Sequence, residues 1–262
     1  MILKGYKLSN HIISDLTSRH APTQALAVVQ VGDDPVSDLY VLKKQEMAAK
    51  LGINFRLIKL NQDILEEELK GEIEKLNEDL AIRGILVQMP LPAHIDRNVI
   101  ASCIDPKKDI DGFHCILKSD YFKCLPPTIL AIDEILDFYK IDKFNKKILI
   151  VGAGFLVGSP LFSFWERKHL DVSFLLSKDQ GYNRKLKDAD IVVVATGGGR
   201  EFGPSDFKRG ATVIDASTVS DEGKIRGDVQ WQDWPEDINL APVPGGIGPV
   251  TVAMLYRNFF DL

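Results

Sequence analysis

Lys146 to Pro160 reads KKILIVGAGFLVGSP, and this stretch decides the fold. Two lysines lead into a short apolar run, Ile148 to Val151, that is bounded by glycine. Such a run reads as a strand buried on both faces, the pattern of a parallel sheet. Gly152, Gly154 and Gly158 follow with the spacing G-x-G-x-x-x-G, and the chain then resumes a helix-compatible pattern. A strand, a glycine turn and a helix N-terminus form the arrangement that holds a dinucleotide pyrophosphate. Glycine lets backbone approach phosphate, and the unpaired N–H groups of the helix start face the anion. By itself the triplet also fits a tight structural turn; its place after a buried strand favours cofactor binding.

Outward from this stretch, strands and helices alternate. Residues 6–19 place Leu8, Ile12, Ile13 and Leu16 on one helix face. Ala25–Val31 is a buried strand closed by the turn cluster Gly32-Asp33-Asp34-Pro35. Ser37 is read as the cap of the next helix, which Gly52 ends. Phe55–Leu60 is a second strand, Ile64–Asn77 a helix, and Gly84–Gln88 a third strand broken by Met89-Pro90-Leu91-Pro92. A helix over Pro127–Tyr139 leads into the glycine-bounded strand. Val172–Leu176, Ile191–Ala195 and Ala211–Ile214 are further buried strands. This order predicts an α/β protein of two parallel-sheet domains with a cleft between them, the second Rossmann-type.

Bulk properties restrict the function. The chain has 262 residues, 45% hydrophobic and 26% charged, the balance of a soluble globular protein. A net charge of −5 without a long basic run argues against nucleic acid as a partner. No secretory signal is read at the N-terminus, and no apolar run approaches the roughly 20 residues of a membrane span. Cys103, Cys115 and Cys124 lack metal-ligand spacing, so no metal site is expected. They read as reduced thiols of a cytoplasmic protein.

Six positions are weighed for chemistry. Tyr40 and Lys44 lie one helical turn apart and share a face. A helical lysine is ordinarily a solvated charge; in a partly desolvated cleft its pKa falls and it can transfer protons. Gln88 sits at the carboxyl end of a parallel strand, where ligands collect in open α/β sheets. Asp109 and Asp111 flank Ile110; such a pair can bind a metal, but without a nearby ligand cluster it reads as hydrogen-bond acceptors for backbone or a polar ring. His114 reads as structural.

In combination these positions resemble a known family. Ser37 to Lys44 (SDLYVLKK) is similar to the S-x-x-Y-V-x-x-K helix of the bifunctional methylenetetrahydrofolate dehydrogenase/cyclohydrolases. Gly84 to Pro92 (GILVQMPLP) resembles their G-I-L-V-Q-x-P-L-P segment, and Lys108 to His114 (KDIDGFH) their K-D-V-D-G-F-H loop. Pro242 to Thr251 (PVPGGIGPVT) resembles a closing signature nearly residue for residue. The four motifs keep the family's order and span almost the whole chain.

The resemblance implies oxidation of 5,10-methylenetetrahydrofolate by hydride transfer to a nicotinamide, then hydrolysis of the methenyl product to 10-formyltetrahydrofolate. It assigns Tyr40 to stack on the aminobenzoyl part of the folate, Lys44 to handle protons, Gln88 to hold and tune Lys44, and Asp111 to bind the pterin. Pro244, Gly245 and Gly246 would bring backbone to the folate. Gly152, Ala153, Gly154, Phe155, Leu156, Val157 and Gly158 would hold the cofactor with Ser177, Lys178 and Thr196. Residues 1–120, closed by a helix over about 249–262, would form the folate-binding catalytic domain, and 121–248 the NAD(P)-binding domain. A cytoplasmic homodimer serving one-carbon metabolism and purine biosynthesis is implied as well.

The departures cluster in the cofactor half. The family's turn reads G-R-S-x-x-V-G-x-P, and its arginine and serine, which help hold the extra phosphate of NADP, are here Ala153 and Gly154. Ser177 and Lys178 still favour a phosphate, whereas Asp179 suits NAD; NADP is the expected cofactor, with NAD possible. The P-C-T-P segment is Lys123-Cys124-Leu125-Pro126, and the family's G-I-N is Ser217-Thr218-Val219, although Gly227-Asp228-Val229 is kept. Two competing expectations follow: a cyclohydrolase with a decayed cofactor site, or a folate-binding protein without turnover.

Overall fold

The computed structural model describes residues 1–117, 124–198, 200–221 and 224–262. Lys123 and the domain boundary expected at residue 120 lie outside the described residues. The chain divides into two compact units, one comprising His11–Pro127 with Val252–Leu262, the other Met1–Asn10 with Thr128–Thr251. Helices α1 (Gly5–Ser18) and α9 (Ile247–Asp261) each begin in the second of these and end in the first.

In the first unit, β1 (Ala25–Val31), α2 (Pro35–Lys50), β2 (Phe55–Leu60), α3 (Glu66–Glu78) and β3 (Ile82–Val87) alternate as the sequence predicts. The helices α4 (Arg97–Cys103) and α5 (Phe113–Leu117) follow. The strands form a parallel sheet in the order β2-β1-β3. β1 occupies the centre, and from Leu26 to Val31 it is buried throughout, which explains why Gln30 is its only polar residue. α3 packs Leu69, Ile73 and Leu76, one helical face. Burying each of the three contributes about 1.5–3 kcal/mol over leaving it exposed.

Helix starts differ from the sequence reading. Ser37 does not cap α2; Asp34 does, its carboxylate accepting the Ser37 N–H at 2.8 Å. Pro35 has no N–H to satisfy, so it takes the first helical position and starts the helix three residues early. α3 starts at Glu66 rather than Ile64, with the Glu68 carboxylate accepting the Leu65 N–H at 3.0 Å.

The second unit carries α6 (Pro127–Phe138), β4 (Ile148–Val151), α7 (Gly158–Arg167), β5 (Val172–Leu175), α8 (Tyr182–Asp188), β6 (Ile191–Val194) and β7 (Thr212–Asp215). A short antiparallel pair, β8 (Val219–Asp221) and β9 (Lys224–Arg226), precedes β10 (Asn239–Ala241). The five-stranded sheet is parallel in the order β10-β7-β6-β4-β5. β4 lies inside it with all four residues buried, as KKILIV predicts. The order reverses at β4: its sequence successor β5 lies on one side and β6 on the other, a doubly wound switch point. The first residues add to the β10 edge, where the Leu3 N–H donates to Leu240 O at 2.7 Å.

A buried charge cluster fixes α7, and with it the helix start that follows the glycine turn. Asp133 on α6 is nine-tenths buried; its Oδ1 accepts from Lys143 Nζ at 2.7 Å and Trp165 Nε1 at 2.8 Å. Its Oδ2 accepts from Lys168 Nζ at 2.7 Å. Lys143 is just as buried and also meets Asp137 at 2.7 Å. Removing one member of such a cluster leaves the others charged without compensation. Asp133→Ala should therefore cost about 3 kcal/mol in urea unfolding, and adding Lys143→Met should recover part of the loss. An unchanged midpoint in the single variant would mean that Asp137 alone compensates Lys143.

Candidate active site

The face of α2 that carries Tyr40 and Lys44 is fixed from both ends. Asp34 caps the helix start, and the Tyr256 hydroxyl of α9 donates to the backbone carbonyl of Lys44. Within the first turn, Asp38 accepts from Gln30 Nε2 of β1 at 2.7 Å. Lys44 Nζ then donates to Gln88 Oε1 at 2.6 Å. Gln88 directly follows β3; its backbone N–H donates to Val29 O at 2.8 Å and its Nε2 to Met89 O at 2.7 Å. Because the amide nitrogen is engaged by Met89, the amide oxygen is the atom turned to Lys44. Burial lowers the Lys44 pKa, and the Asp111 charge acts in the opposite sense. Tyr40 is half-buried, with Lys43 Nζ 5.7 Å from its ring centre.

The loop Lys108–His114 is tied down residue by residue. Lys108 Nζ donates to Leu76 O at 3.0 Å and Asp79 O at 2.8 Å, capping the end of α3. The Ile110 carbonyl accepts from Asn258 Nδ2 at 2.9 Å. Asp109 is buried and its Oδ2 accepts the His114 N–H at 2.8 Å, while its Oδ1 has no partner among the described residues. Gly112 has φ +70°, and a Cβ there would lie 2.6 Å from Pro126 N. The His114 ring bonds to Ile104 O at 2.6 Å, the structural role its sequence context suggests. Asp111 is different: half-buried, its carboxylate has no hydrogen-bond partner among the described residues. Burial raises its pKa to about 6, against the pull of the Lys44 charge and with a push from Asp109. The loop thus holds an uncommitted carboxylate near an amine whose protonated form is disfavoured.

In the other unit, the glycine turn joins β4 to α7. Gly152 has φ +97°, and a Cβ there would sit 2.6 Å from Ala195 O at the end of β6. A Cβ on Gly158 would sit 2.1 Å from Gly152 O, so the helix start needs glycine to close on the strand end. Gly154 is under no such constraint, its nearest neighbour being Ala195 O at 4.0 Å. The N–H groups of Leu156, Val157 and Gly158 donate to no partner among the described residues. Free donors at the start of a ten-residue helix fit a pyrophosphate. Ser177 and Lys178, just past β5, are exposed. Asp179 instead folds back, its Oδ2 accepting from the Leu176 N–H and Lys185 Nζ, each at 3.2 Å. The Thr196 hydroxyl donates to the buried carboxylate of Asp228. In the closing turn, Gly245 has φ +100°, and a Cβ on Gly246 would lie 2.5 Å from Pro242 O. Both glycines are therefore required by the turn itself.

Sequence reasoning missed Tyr256, Asp228 and the Asp133 cluster. A buried tyrosine in an apolar helix reads as core; the only hint is that a buried hydroxyl needs an acceptor. For Asp228 a hint existed, since the segment Gly227-Asp228-Val229 is kept; Gly227 serves a different carboxylate. A Cβ on that glycine would lie within bonding distance of Asp215 Oδ2, a carboxylate that accepts the Val229 and Ser217 N–H groups at 2.9 and 3.0 Å.

Comparison with known proteins shows the family. Residues 3–111 match the family described as tetrahydrofolate dehydrogenase/cyclohydrolase, catalytic domain, and residues 126–262 match its NAD(P)-binding domain. The bifunctional protein FolD of Aquifex aeolicus is 38% identical over 98% of this chain and 93% of its own. The crystal structure of the bifunctional FolD enzyme from Campylobacter jejuni superposes with a TM-score of 0.89 at 34% identity, covering 99% of this chain and 96% of that one. The Trypanosoma brucei dehydrogenase-cyclohydrolase, complexed with NADP cofactor and inhibitor, has a TM-score of 0.89 at 28% identity, covering 100% and 96%. With both halves matched over nearly their full length, the chain belongs to the tetrahydrofolate dehydrogenase/cyclohydrolase family.

Proposed function

We propose that this chain oxidises 5,10-methylenetetrahydrofolate to the 5,10-methenyl form and hydrolyses that product to 10-formyltetrahydrofolate, with Lys44 as the proton-transfer group. The observation that carries the reading is the 2.6 Å contact from Lys44 Nζ to an amide oxygen rather than a carboxylate. An amide orients the amine without adding a negative charge, so it does not hold the lysine protonated. Burial already lowers the Lys44 pKa, and the neutral amine is the form able to accept a proton.

The bound nicotinamide supplies the hydride acceptor for the first step. In the second, Lys44 takes a proton from water as the oxygen adds to the methenyl carbon. The carbon–N5 bond then breaks, N5 receives a proton, and the remaining water proton is released as the formyl group forms. Asp111 accepts hydrogen bonds from the pterin, a role suited to a carboxylate without a partner of its own. Tyr40, on the face of α2 that carries Lys44, provides the aromatic platform. Pro244, Gly245 and Gly246 line the folate, and the turn from Gly152 to Gly158 receives the pyrophosphate. NADP is the preferred acceptor: Ser177 and Lys178 are exposed past β5, whereas Asp179 is engaged within its own loop and poorly placed to hold a ribose hydroxyl pair. A cytoplasmic homodimer completes the reading.

Supplying methylenetetrahydrofolate with NADP+ or NAD+ and following nicotinamide and methenyl absorbance tests the first step; no reduced nicotinamide with either cofactor would sink it. Lys44→Met should abolish methenyl hydrolysis while folate still binds, and undiminished hydrolysis would refute the role of Lys44. Gln88→Glu should place a carboxylate on the amine, raise its pKa and move the hydrolysis pH profile upward by about a unit or more.

Asp111 offers a check by pH. Its folded pKa of about 6 lies above the ordinary 3.8, so its stabilising contribution is complete below 3.8 and is lost as pH rises through 6. Asp111→Asn should therefore raise the thermal midpoint relative to the parent above pH 6 and leave it unchanged at pH 3.5. The same variant should weaken folate binding, measured by titration, and equal affinity would remove Asp111 from the pterin site.

A further inference from the structure

The chain turns sharply after β6 and delivers an arginine to a defined place. Ala195 O lies against Gly152, so the loop leaves the sheet beside the glycine turn. The Thr196 hydroxyl and the Gly198 N–H, the latter at 3.1 Å, both donate to Oδ2 of the buried Asp228. Gly197 and Gly198 have φ +68° and +93°, the left-handed region that favours glycine. Arg200 then lays its guanidinium 4.1 Å from the ring centre of Tyr182, the first residue of α8, and 5.4 Å from that of Phe202. Its Nη2 donates to Asn183 Oδ1 at 3.1 Å. The residue is exposed and pairs with no carboxylate among the described residues.

This is an unusual use of a surface arginine. A free surface arginine samples many rotamers, whereas this one is held by two rings and an amide with its charge unspent. Guanidinium edge donors held in this way are suited to a phosphate. The place is informative too. β5 and β6 flank β4 in the sheet, so the Arg200–Tyr182 contact joins the loops on either side of the glycine turn. With the pyrophosphate at Leu156–Gly158, the adenosine half of a dinucleotide runs toward the end of β5, where Ser177 and Lys178 stand exposed. The glycine turn itself, with Ala153 and Gly154, offers a further phosphate no side-chain donor.

We propose that Arg200 is a specificity-determining residue that receives the 2′-phosphate of the adenosine half, together with Ser177 and Lys178. The proposal rests on the NADP reading above and locates its source in the loop after β6.

Titration calorimetry on the full chain with adenosine 2′,5′-bisphosphate and with 5′-AMP tests it without turnover. The parent should prefer the bisphosphate. Arg200→Ala should weaken the bisphosphate about tenfold or more and leave AMP unchanged, the loss expected for a hydrogen bond to a charged group. Arg200→Lys, which keeps the charge but not the fork, should fall between. A parent without preference would overturn the NADP reading and this proposal with it. A preference that survives Arg200→Ala overturns the Arg200 assignment and leaves NADP standing. Equal loss of both probes would show that Arg200 only shapes the loop, and also overturns it.

Discussion

A primary amine serves as a base near neutrality only when its protonated form is made unfavourable, and the first unit is arranged to meet that condition at Lys44. Burial disfavours the ammonium, and the partner that positions it, Gln88, is polar but uncharged. A carboxylate at that position would give a stronger pair and a worse base. The contact requires α2 and the end of β3 to be held independently of each other. Asp34 and Tyr256 hold the helix, and the hydrogen bond from Gln88 N to Val29 O holds the strand end. The Lys108–His114 loop follows the same logic. Lys108, Asp109, Ile110, Gly112 and His114 each make a fixed contact, and Asp111 is left to bind something else.

Much of this was legible in the sequence because it is periodic or local. Largely apolar runs such as Ala25–Val31 and Ile148–Val151 need no tertiary knowledge to be read as buried parallel strands. Tyr40 and Lys44 share a face because a helix repeats every 3.6 residues. The glycine at 152 was readable as a turn because its φ is positive, a property of its own backbone.

What was not legible depends on groups distant in sequence. Tyr256 and Lys44 are 212 residues apart, and Asp133 and Trp165 are 32 apart; neither pair leaves a spacing to find. The cap of α2 was misread for a local reason. Serine and aspartate are comparable caps, and the decision fell to Pro35, whose missing N–H costs nothing at the first helical position. Gly154 differs from its two neighbours in the triplet. A glycine triplet invites one explanation for all three residues, yet only Gly152 and Gly158 have backbone where a Cβ would sit.

The cofactor half separates two tasks that a motif merges. Holding a pyrophosphate needs only backbone N–H groups and the close approach of a helix start to a strand end. Gly152 and Gly158 provide that approach whatever side chains stand between them. Telling one dinucleotide from another needs a side chain at the adenosine end, and there is no physical reason for it to come from the same turn. In this chain the buried carboxylate of Asp228 pins the loop after β6 at Thr196 and Gly198. The departures at 153 and 154 therefore leave the close approach of the α7 start to the end of β4 intact.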